Sequence, residues 1–265
     1  TNVTAFYPDR QGNLWIGGSW GGIERVTFNK DKFHIKKIVN STEITPANSV
    51  RAMLQDSRGN IYAATKDKKI HLFNSSHTEV GVWSTPGPIY TMTQSRDGKI
   101  WMGMKTGGIM YASAQGMMQG EFNPRRFVKS DEFYGLSADM IYDLKEGPGG
   151  RLWIGSLDDG LSFLGLNGRY EQFISKKNRL SFPTEQRNSI RDIEFGPDGS
   201  LYACGTIGMF VCRDPGNDPE DMKFNHFKYV GDGYDVQEIM FSSSNNIYAA
   251  TTGSGLLKFD SIDPD

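Results

Sequence analysis

Gly150-Arg151-Leu152-Trp153-Ile154-Gly155 is the stretch of sequence that decides the fold. It contains a turn glycine, an aliphatic residue, an aromatic residue and then small residues. The same pattern occurs six times, at intervals of 39 to 52 residues. A repeat of ~40 to 50 residues matches one propeller blade and is longer than a leucine-rich or helical repeat. The six turn positions are Gly12, Gly59, Gly98, Gly150, Gly199 and Asn245.

The similarity between copies extends to both sides of this turn. A β-branched residue stands nine positions before it, and a second turn followed by an apolar residue comes about ten positions after it. Three strands joined by two tight hairpins are therefore predicted in each unit. Alternating apolar residues predict a fourth strand in the first five units, whereas the last unit lacks one. The β-branched residues are Val3, Val50, Ile89, Ile141, Ile190 and Val236.

A single sheet of this kind has two apolar faces, which neighbouring sheets must cover. We expect the large aromatic residue of each second strand to fill the space between blades. The sequence thus predicts an all-β, single-domain β-propeller of six four-stranded antiparallel blades, and it is also compatible with part of a seven-bladed propeller. The predicted blades span about residues 1–40, 41–85, 86–131, 132–176, 177–231 and 232–265.

Composition limits the partners and the chemistry. The 29 Lys and Arg residues nearly balance the 31 Asp and Glu residues, so no broad attraction to nucleic acid or to anionic membranes is expected. No apolar run approaches the ~20 residues of a membrane helix, and the pattern of the first residues does not predict a charged-then-apolar leader. Cys204 and Cys212 fall on one predicted hairpin whose register keeps them from facing each other, so free, half-buried thiols are expected.

The best candidate for a binding surface lies one residue after the β-branched position. All six residues there are polar or amphipathic, and the repeat is expected to bring them together at one end of a central channel. Tyrosine rings can stack on the apolar face of a sugar, and guanidinium groups can bind hydroxyls or an acidic substituent. The alternative is that these groups satisfy exposed backbone or bind water. The candidate ligand-binding ring is Thr4, Arg51, Tyr90, Tyr142, Arg191 and Gln237.

Residues in the turns that precede these strands could extend the ring into a polar rim at the same end of the channel. They are Asn2, Asn48, Ser49, Asp139, Asn188, Ser189 and Asp235.

Catalysis needs convergent acids and bases or a metal at the channel. The four histidines, His34, His71, His77 and His226, fall on predicted third or fourth strands or on outer loops. The one carboxylate cluster beside the ring is Asp143, Asp192 and Glu238, and no histidine accompanies it. We therefore assign no catalytic residue, no metal site and no cofactor from the sequence.

Three copies carry the residues of a known repeat. They are Leu-Trp-Ile-Gly-Ser with Asp-Gly-Leu at 152–161, Leu-Trp-Ile-Gly-Gly with Gly-Gly-Ile at 14–23, and Ile-Trp-Met-Gly with Gly-Gly-Ile at 100–109. The sequence from Val3 to Phe259 resembles the two-component regulator propeller, which occurs in the periplasmic sensor region of Bacteroidetes hybrid two-component systems that detect glycans. The remaining copies keep the pattern with Tyr in place of Trp.

The resemblance implies a larger membrane-bound histidine kinase receptor. Its propeller repeats would be periplasmic, would adjoin another propeller or an immunoglobulin-like domain, and would form a homodimer in the intact receptor. The family usually has seven blades in each propeller and two propellers in tandem, from which six copies depart.

The preferred hypothesis is a non-enzymatic, extracytoplasmic sensor module that binds an oligosaccharide or a similar polar ligand. The alternatives are a propeller enzyme, such as a polysaccharide lyase, a lactonase or a sialidase-like hydrolase, and a scaffold that binds protein alone.

Overall fold

Each of the six copies of the sequence repeat forms one β-sheet. The computed structural model describes residues 3–10, 13–18, 22–27, 32–39, 44–157, 159–167, 170–183, 189–227, 230 and 233–259. These residues form six antiparallel sheets, five with four strands and the last with three. The predicted all-β fold of six propeller blades is confirmed, as is the missing fourth strand of the last blade within the described residues.

The chain divides into two compact units, Thr1–Phe127 and Val128–Asp265. In the first unit, each of three blades is a meander in which consecutive strands pair. Blade 1 contains β1 (Val3–Pro8), β2 (Asn13–Gly18), β3 (Gly22–Thr27) and β4 (Lys32–Lys36). Blade 2 contains β5 (Val50–Gln55), β6 (Ile61–Thr65), β7 (Lys69–Phe73) and β8 (Glu79–Ser84). Blade 3 contains β9 (Ile89–Gln94), β10 (Lys99–Met104), β11 (Ile109–Ser113) and β12 (Arg125–Phe127).

The second unit repeats this arrangement. Blade 4 contains β13 (Ile141–Glu146), β14 (Leu152–Ser156), β15 (Gly160–Asn167) and β16 (Tyr170–Ile174). Blade 5 contains β17 (Ile190–Phe195), β18 (Leu201–Gly205), β19 (Gly208–Cys212) and β20 (Phe224–His226). Blade 6 contains β21 (Asp235–Phe241), β22 (Ile247–Thr252) and β23 (Gly255–Phe259).

In blades 2 to 6 the turn before the second strand has left-handed backbone. Gly59 and Gly199 both have φ of 85°, and Asn245 replaces glycine with φ of 62°. Asparagine tolerates this region better than most residues, which explains how the last copy keeps its turn.

In blades 1, 2, 4 and 5 the aromatic residue of the second strand packs against the innermost strand of the following blade. In the second unit, the ring of Tyr202 meets that of Phe241 at 5.0 Å between centroids, so blade 5 packs on blade 6 through this pair. In the first unit, Trp15 packs with Val50 and Met53, which joins blades 1 and 2. Trp15, Tyr62, Trp101, Trp153 and Tyr202 are buried, and Tyr248 is half-buried.

Polar atoms of these aromatics bind the turn before the second strand. Trp15 Nε1 donates to Asp9 Oδ2 at 2.9 Å, and Trp101 Nε1 donates to Ser95 Oγ at 3.2 Å. In blade 4 the equivalent position is Gly147, which has no side-chain acceptor. Trp153 Nε1 is consequently buried with no hydrogen-bond partner among the described residues.

Two local features, a short helix and the burial of the cysteines, add to the sequence-based expectation. The Gly/Met-rich insertion after β11 begins with one helical turn, α1 (Ala114–Met118), where Ser113 Oγ accepts a hydrogen bond from Gly116 N. Cys204 and Cys212 are free, as predicted, but both are fully buried rather than half-buried.

Among the described residues, no helix is long and apolar enough to cross a membrane.

Candidate functional site

The six candidate residues share a backbone feature that the sequence did not reveal. In every blade the pairing of the innermost strand with its neighbour shifts by one residue at the candidate position. A β-bulge of this kind leaves one residue outside the ladder and redirects its side chain. The six bulged residues are Thr4, Arg51, Tyr90, Tyr142, Arg191 and Gln237.

In the second unit, the bulged residues of three consecutive blades contact one another. Arg191 Nη1 donates to Gln237 Oε1 at 3.2 Å, and the Arg191 guanidinium carbon lies 5.7 Å from the centre of the Tyr142 ring. Asp235 completes the group, because its carboxylate accepts from Arg191 Nη2 at 3.4 Å and from Gln237 Nε2 at 3.0 Å. We call Tyr142, Arg191, Asp235 and Gln237 the bulge cluster.

The bulge cluster combines opposite charges at a partly exposed position. Arg191 Nε lies 3.2 Å from Asp235 Oδ1, an ion-pair distance, but the N–H is not aligned for a hydrogen bond. The side chains of Arg191 and Asp235 are 27% and 32% exposed, so solvent or a ligand can reach them. A guanidinium, a carboxylate, an amide and an aromatic ring are therefore presented together. This set can donate to hydroxyl groups, accept from them and stack on an apolar ring face.

In the first unit, Arg51 and Tyr90 occupy the bulges of adjacent innermost strands, β5 and β9, and both side chains are half-buried. Thr4 lies in β1, but its side chain is outside the described residues. The role of these residues in ligand binding stays a prediction.

The predicted rim is only partly assembled. Asp235 belongs to the bulge cluster, whereas Asn48 is buried and exchanges two hydrogen bonds with the backbone of Val39, at 3.0 and 2.9 Å. Asp139 accepts from the backbone amide of Lys129 at 2.8 Å. Ser49 and Ser189 are buried, and Asn2 and Asn188 lie outside the described residues. Asn48 and Asp139 thus have structural partners.

Two of the three carboxylates beside the bulges join consecutive blades. Asp143 Oδ2 accepts the backbone amide of Ile193 at 2.9 Å, which connects blade 4 to blade 5. Asp192 Oδ2 accepts the backbone amide of Ile239 at 2.7 Å, which connects blade 5 to blade 6. The sequence indicated these acids only as a carboxylate cluster. Their recurrence at one position of successive copies was the signal for an inter-blade role.

The environment of Asp192 disfavours its charge. Burial raises the pKa of this carboxyl well above its usual range, and the nearby Asp143 carboxylate raises it further. Burial, followed by the charges of Asp192 and Asp143, likewise raises the pKa of the Cys204 thiol. Cys204 is fully buried, whereas Asp143 and Asp192 are half-buried beside the bulges.

The histidines lie away from the innermost strands, as expected. His71 is in β7, where its Nδ1 is 2.7 Å from Glu79 Oε1, and His226 is in β20. His77 follows β7 and meets the ring of Trp15 at 4.9 Å between centroids. The backbone of His34 is in β4. Across the part of the chain that the structure describes, no group of three His, Cys, Asp or Glu is arranged to hold a metal ion.

Solved structures resemble the whole length of this chain. The extracellular domain described as that of a hybrid two component system from B. thetaiotaomicron has a TM-score of 0.72 at 17% identity, and the match covers 100% of this chain and 35% of that one. Porphyromonas gingivalis PorZ, a surface component of the type-IX secretion system, has a TM-score of 0.70 at 14% identity, covering 98% and 38%. This chain therefore spans about a third of the length of these two proteins.

A more distant propeller gives the same fold. The beta-propeller domain of Cps50 (Swd1) from Myceliophteria thermophila has a TM-score of 0.67 at 11% identity, covering 99% of this chain and 88% of that one. At these identities the likeness concerns the fold alone. A search of curated protein sequences finds no match.

A family model matches two segments of the chain. The family is the two component regulator propeller, and the matched residues are 1–20 and 45–67. The first segment contains the Trp15 copy of the repeat, and the second contains the Tyr62 copy. The resemblance indicated by the sequence is thereby confirmed, since these two segments are similar to two component regulator propeller repeats.

Proposed function

We propose that this chain is a ligand-sensing, extracytoplasmic module of a two-component signalling receptor, and that it binds an oligosaccharide or a similar polar ligand at the bulge positions. The observation that carries the proposal is the bulge cluster. In it, Arg191 lies over the ring of Tyr142 and is held by Asp235 and Gln237.

The geometry of the bulge cluster suits recognition of a sugar. Tyr142 offers an aromatic surface, while Arg191, Asp235 and Gln237 offer donors and acceptors whose orientation their mutual hydrogen bonds already fix. Groups fixed before binding lose less conformational entropy when the ligand arrives. Because Arg191 and Asp235 compensate each other's charge, the cluster favours a neutral polyhydroxyl ligand over a strongly charged one.

A sensor is favoured over an enzyme by the surroundings of the site. Two of the three acids that directly follow a bulge, Asp143 and Asp192, already accept backbone amides of the next blade, and Asp235 is paired with Arg191. The matched family, the two component regulator propeller, supports the receptor context, and a solved structure with the same fold is described as the extracellular domain of a hybrid two component system. The signal would pass through a neighbouring domain of the receptor.

Isothermal titration calorimetry with a panel of purified neutral and acidic oligosaccharides tests the proposal. We expect at least one oligosaccharide to bind, and Arg191→Gln to weaken its binding by about 10-fold or more, because a hydrogen bond to a charged group contributes ~1.5 to 3 kcal/mol. Arg179→Gln is the matched control, since it removes another arginine–carboxylate pair, the 3.0 Å contact with Glu220, at a separate surface. Tyr142→Leu tests the stacking surface without changing the charge.

Three outcomes would contradict the proposal. The first is that no member of the panel binds the folded wild-type protein. The second is that Arg191→Gln and Tyr142→Leu both bind as the wild type does, which would place the ligand elsewhere. The third is chemical conversion of a bound oligosaccharide, detected by chromatography, which would favour an enzyme.

A further inference from the structure

The bulge positions of the first unit have different neighbours from those of the second. In the second unit an acid directly follows each bulged residue, namely Asp143, Asp192 and Glu238. In the first unit the corresponding residues are uncharged, namely Ala5, Ala52 and Thr91. The strand that carries Arg51 therefore offers no carboxylate beside its bulge, whereas the innermost strands of blades 4 to 6 do.

Arg51 occupies in blade 2 the position that Arg191 occupies in blade 5. Arg191 is paired, since its Nε lies 3.2 Å from Asp235 Oδ1. Arg51 is half-buried, and within the part of the chain that the structure describes it has no hydrogen bond and no ion pair. A guanidinium that has lost part of its hydration gains a strong partner when a carboxylate binds it. The unpaired charge of Arg51 therefore favours an anionic ligand.

Two lysines adjoin the bulges of blades 2 and 3. The backbone amide of Lys66 donates at 2.8 Å to the carbonyl oxygen two residues before Arg51. The backbone amide of Lys105 donates at 2.8 Å to the carbonyl oxygen two residues before Tyr90. Both lysines are exposed, whereas the residues that make the equivalent bonds in blades 4 and 5 are uncharged, namely Leu157 and Thr206. We call Arg51, Lys66 and Lys105 the basic rim.

The turns that carry the two lysines have a net positive charge. In the turn from residue 66 to residue 69, three lysines outnumber one acid, Asp67. This acid is paired with Lys69, whose Nζ lies 3.4 Å from its Oδ2. The turn from residue 105 to residue 108 contains Lys105 and no acid. A net positive charge at one end of a unit attracts anions over about 8 to 10 Å near physiological salt.

We propose that the basic rim of the first unit binds an acidic sugar, with Arg51 donating hydrogen bonds to its carboxylate. The planar guanidinium can bind both oxygens of a carboxylate at once. Tyr90, half-buried at the bulge of the adjacent strand β9, can contact the sugar ring. Lys66 and Lys105 contribute electrostatic attraction rather than a fixed contact. The inference rests on the proposed role of the bulge positions in binding, and it adds a ligand class that the charge-balanced bulge cluster does not favour.

An NMR titration of the 265-residue chain with sodium glucuronate locates the bound carboxylate. The Nε–Hε signal of Arg51 is identified by its loss in Arg51→Gln, and we expect it to shift with a Kd of about 1 to 10 mM, a range typical of so small a ligand. Glucose, which has the same ring and no charge, should bind at least about tenfold more weakly. Arg51→Gln, followed through the amide signals of Lys66 and Tyr90, should weaken glucuronate binding about tenfold or more.

Two further variants separate the basic rim from a general loss of charge. Lys105→Gln should weaken glucuronate binding about two- to fivefold, because an exposed charge contributes only attraction. This effect should shrink as the NaCl concentration rises. Arg96→Gln is the matched control, since Arg96 is exposed at the opposite end of blade 3, and it should change the Kd by less than about twofold. Equal effects of the two substitutions would contradict a specific role of the basic rim.

Four results would overturn the inference. They are the absence of a saturable shift of Arg51 up to about 100 mM glucuronate, equal binding of glucose and glucuronate, binding of sodium sulfate as tight as that of glucuronate, and a shift of Arg191 in place of Arg51. Tight sulfate binding would identify a simple anion site, and a shift of Arg191 would place the carboxylate at the bulge cluster. If glucuronate binds at Arg51 while no oligosaccharide binds the bulge cluster, the role proposed for that cluster fails and this inference stands.

Discussion

Replacing Asp192 with asparagine should stabilise the protein at neutral pH and have little effect in acid. Asp192 is half-buried where blade 5 meets blade 6, and its Oδ2 accepts the amide of Ile239 at 2.7 Å. Burial and the neighbouring Asp143 raise its pKa in the folded protein well above the ordinary value of 3.8. Asparagine keeps an acceptor oxygen for the amide of Ile239 and carries no charge at any of these pH values.

The sign of this pH dependence of stability follows from the upward shift of the Asp192 pKa in the folded protein. A folded-state pKa above the unfolded one gives stability that is fully present below the unfolded pKa and is lost as the pH rises through the folded pKa. Each pH unit in that interval lowers the free energy of unfolding of the wild type by up to about 1.4 kcal/mol, and the asparagine variant escapes this loss. For a chain of this size each kcal/mol corresponds to about 2 to 4 °C in Tm.

Thermal melts followed by circular dichroism between pH 4 and pH 8 are the assay. The Tm of Asp192→Asn minus that of the wild type should increase with pH, whereas Asp131→Asn, which removes an exposed carboxyl, controls for a general loss of negative charge. A difference in Tm that stays constant across this range would show that the carboxyl titrates alike in the folded and unfolded chains. The raised pKa of Asp192 in the folded protein would then be wrong.

Two further comparisons concern packing. Trp15→Phe should cost about 1 kcal/mol more than Trp153→Phe in urea unfolding, because only Trp15 loses an indole hydrogen bond; equal costs would contradict this. Gly205→Ala should destabilise by at least ~1 to 3 kcal/mol, since its Cβ would lie 1.7 Å from the carbonyl oxygen of Ser189. Gly216→Ala, which meets nothing within 4 Å, should be near neutral, and a similar Tm for the two alanine variants would refute the clash.

Much of the fold could be predicted from the sequence because one six-residue pattern recurs at intervals typical of a propeller blade. The copy of this pattern around Trp153 predicts the second strand, the turn before it and the residue that packs between blades. The substitution of Asn245 for glycine was also interpretable, since the turn needs only left-handed backbone. The helix α1 was not predicted, because five residues are too few to show a helical period.

The candidate site was less predictable than the fold. The sequence identified Arg191 and Gln237 as equivalent positions, but the bulge that removes them from the ladder is a mismatch in pairing with no residue signature of its own. The hydrogen bonds of Asp143 and Asp192 to the next blade depend on how two sheets stack. The repeat pattern of one sheet contains no information on how closely the next sheet packs against it.

The repeated bulge has a consequence for how such a protein can evolve. A bulged residue has no partner across the ladder, so exchanging its side chain leaves the pairing of the strand intact. The six copies illustrate this freedom, with Thr4, Arg51, Tyr90, Tyr142, Arg191 and Gln237 at one position directly after an unvarying valine or isoleucine. Selection can therefore change the side chain at each bulge, one residue at a time, while the strand pairing stays the same.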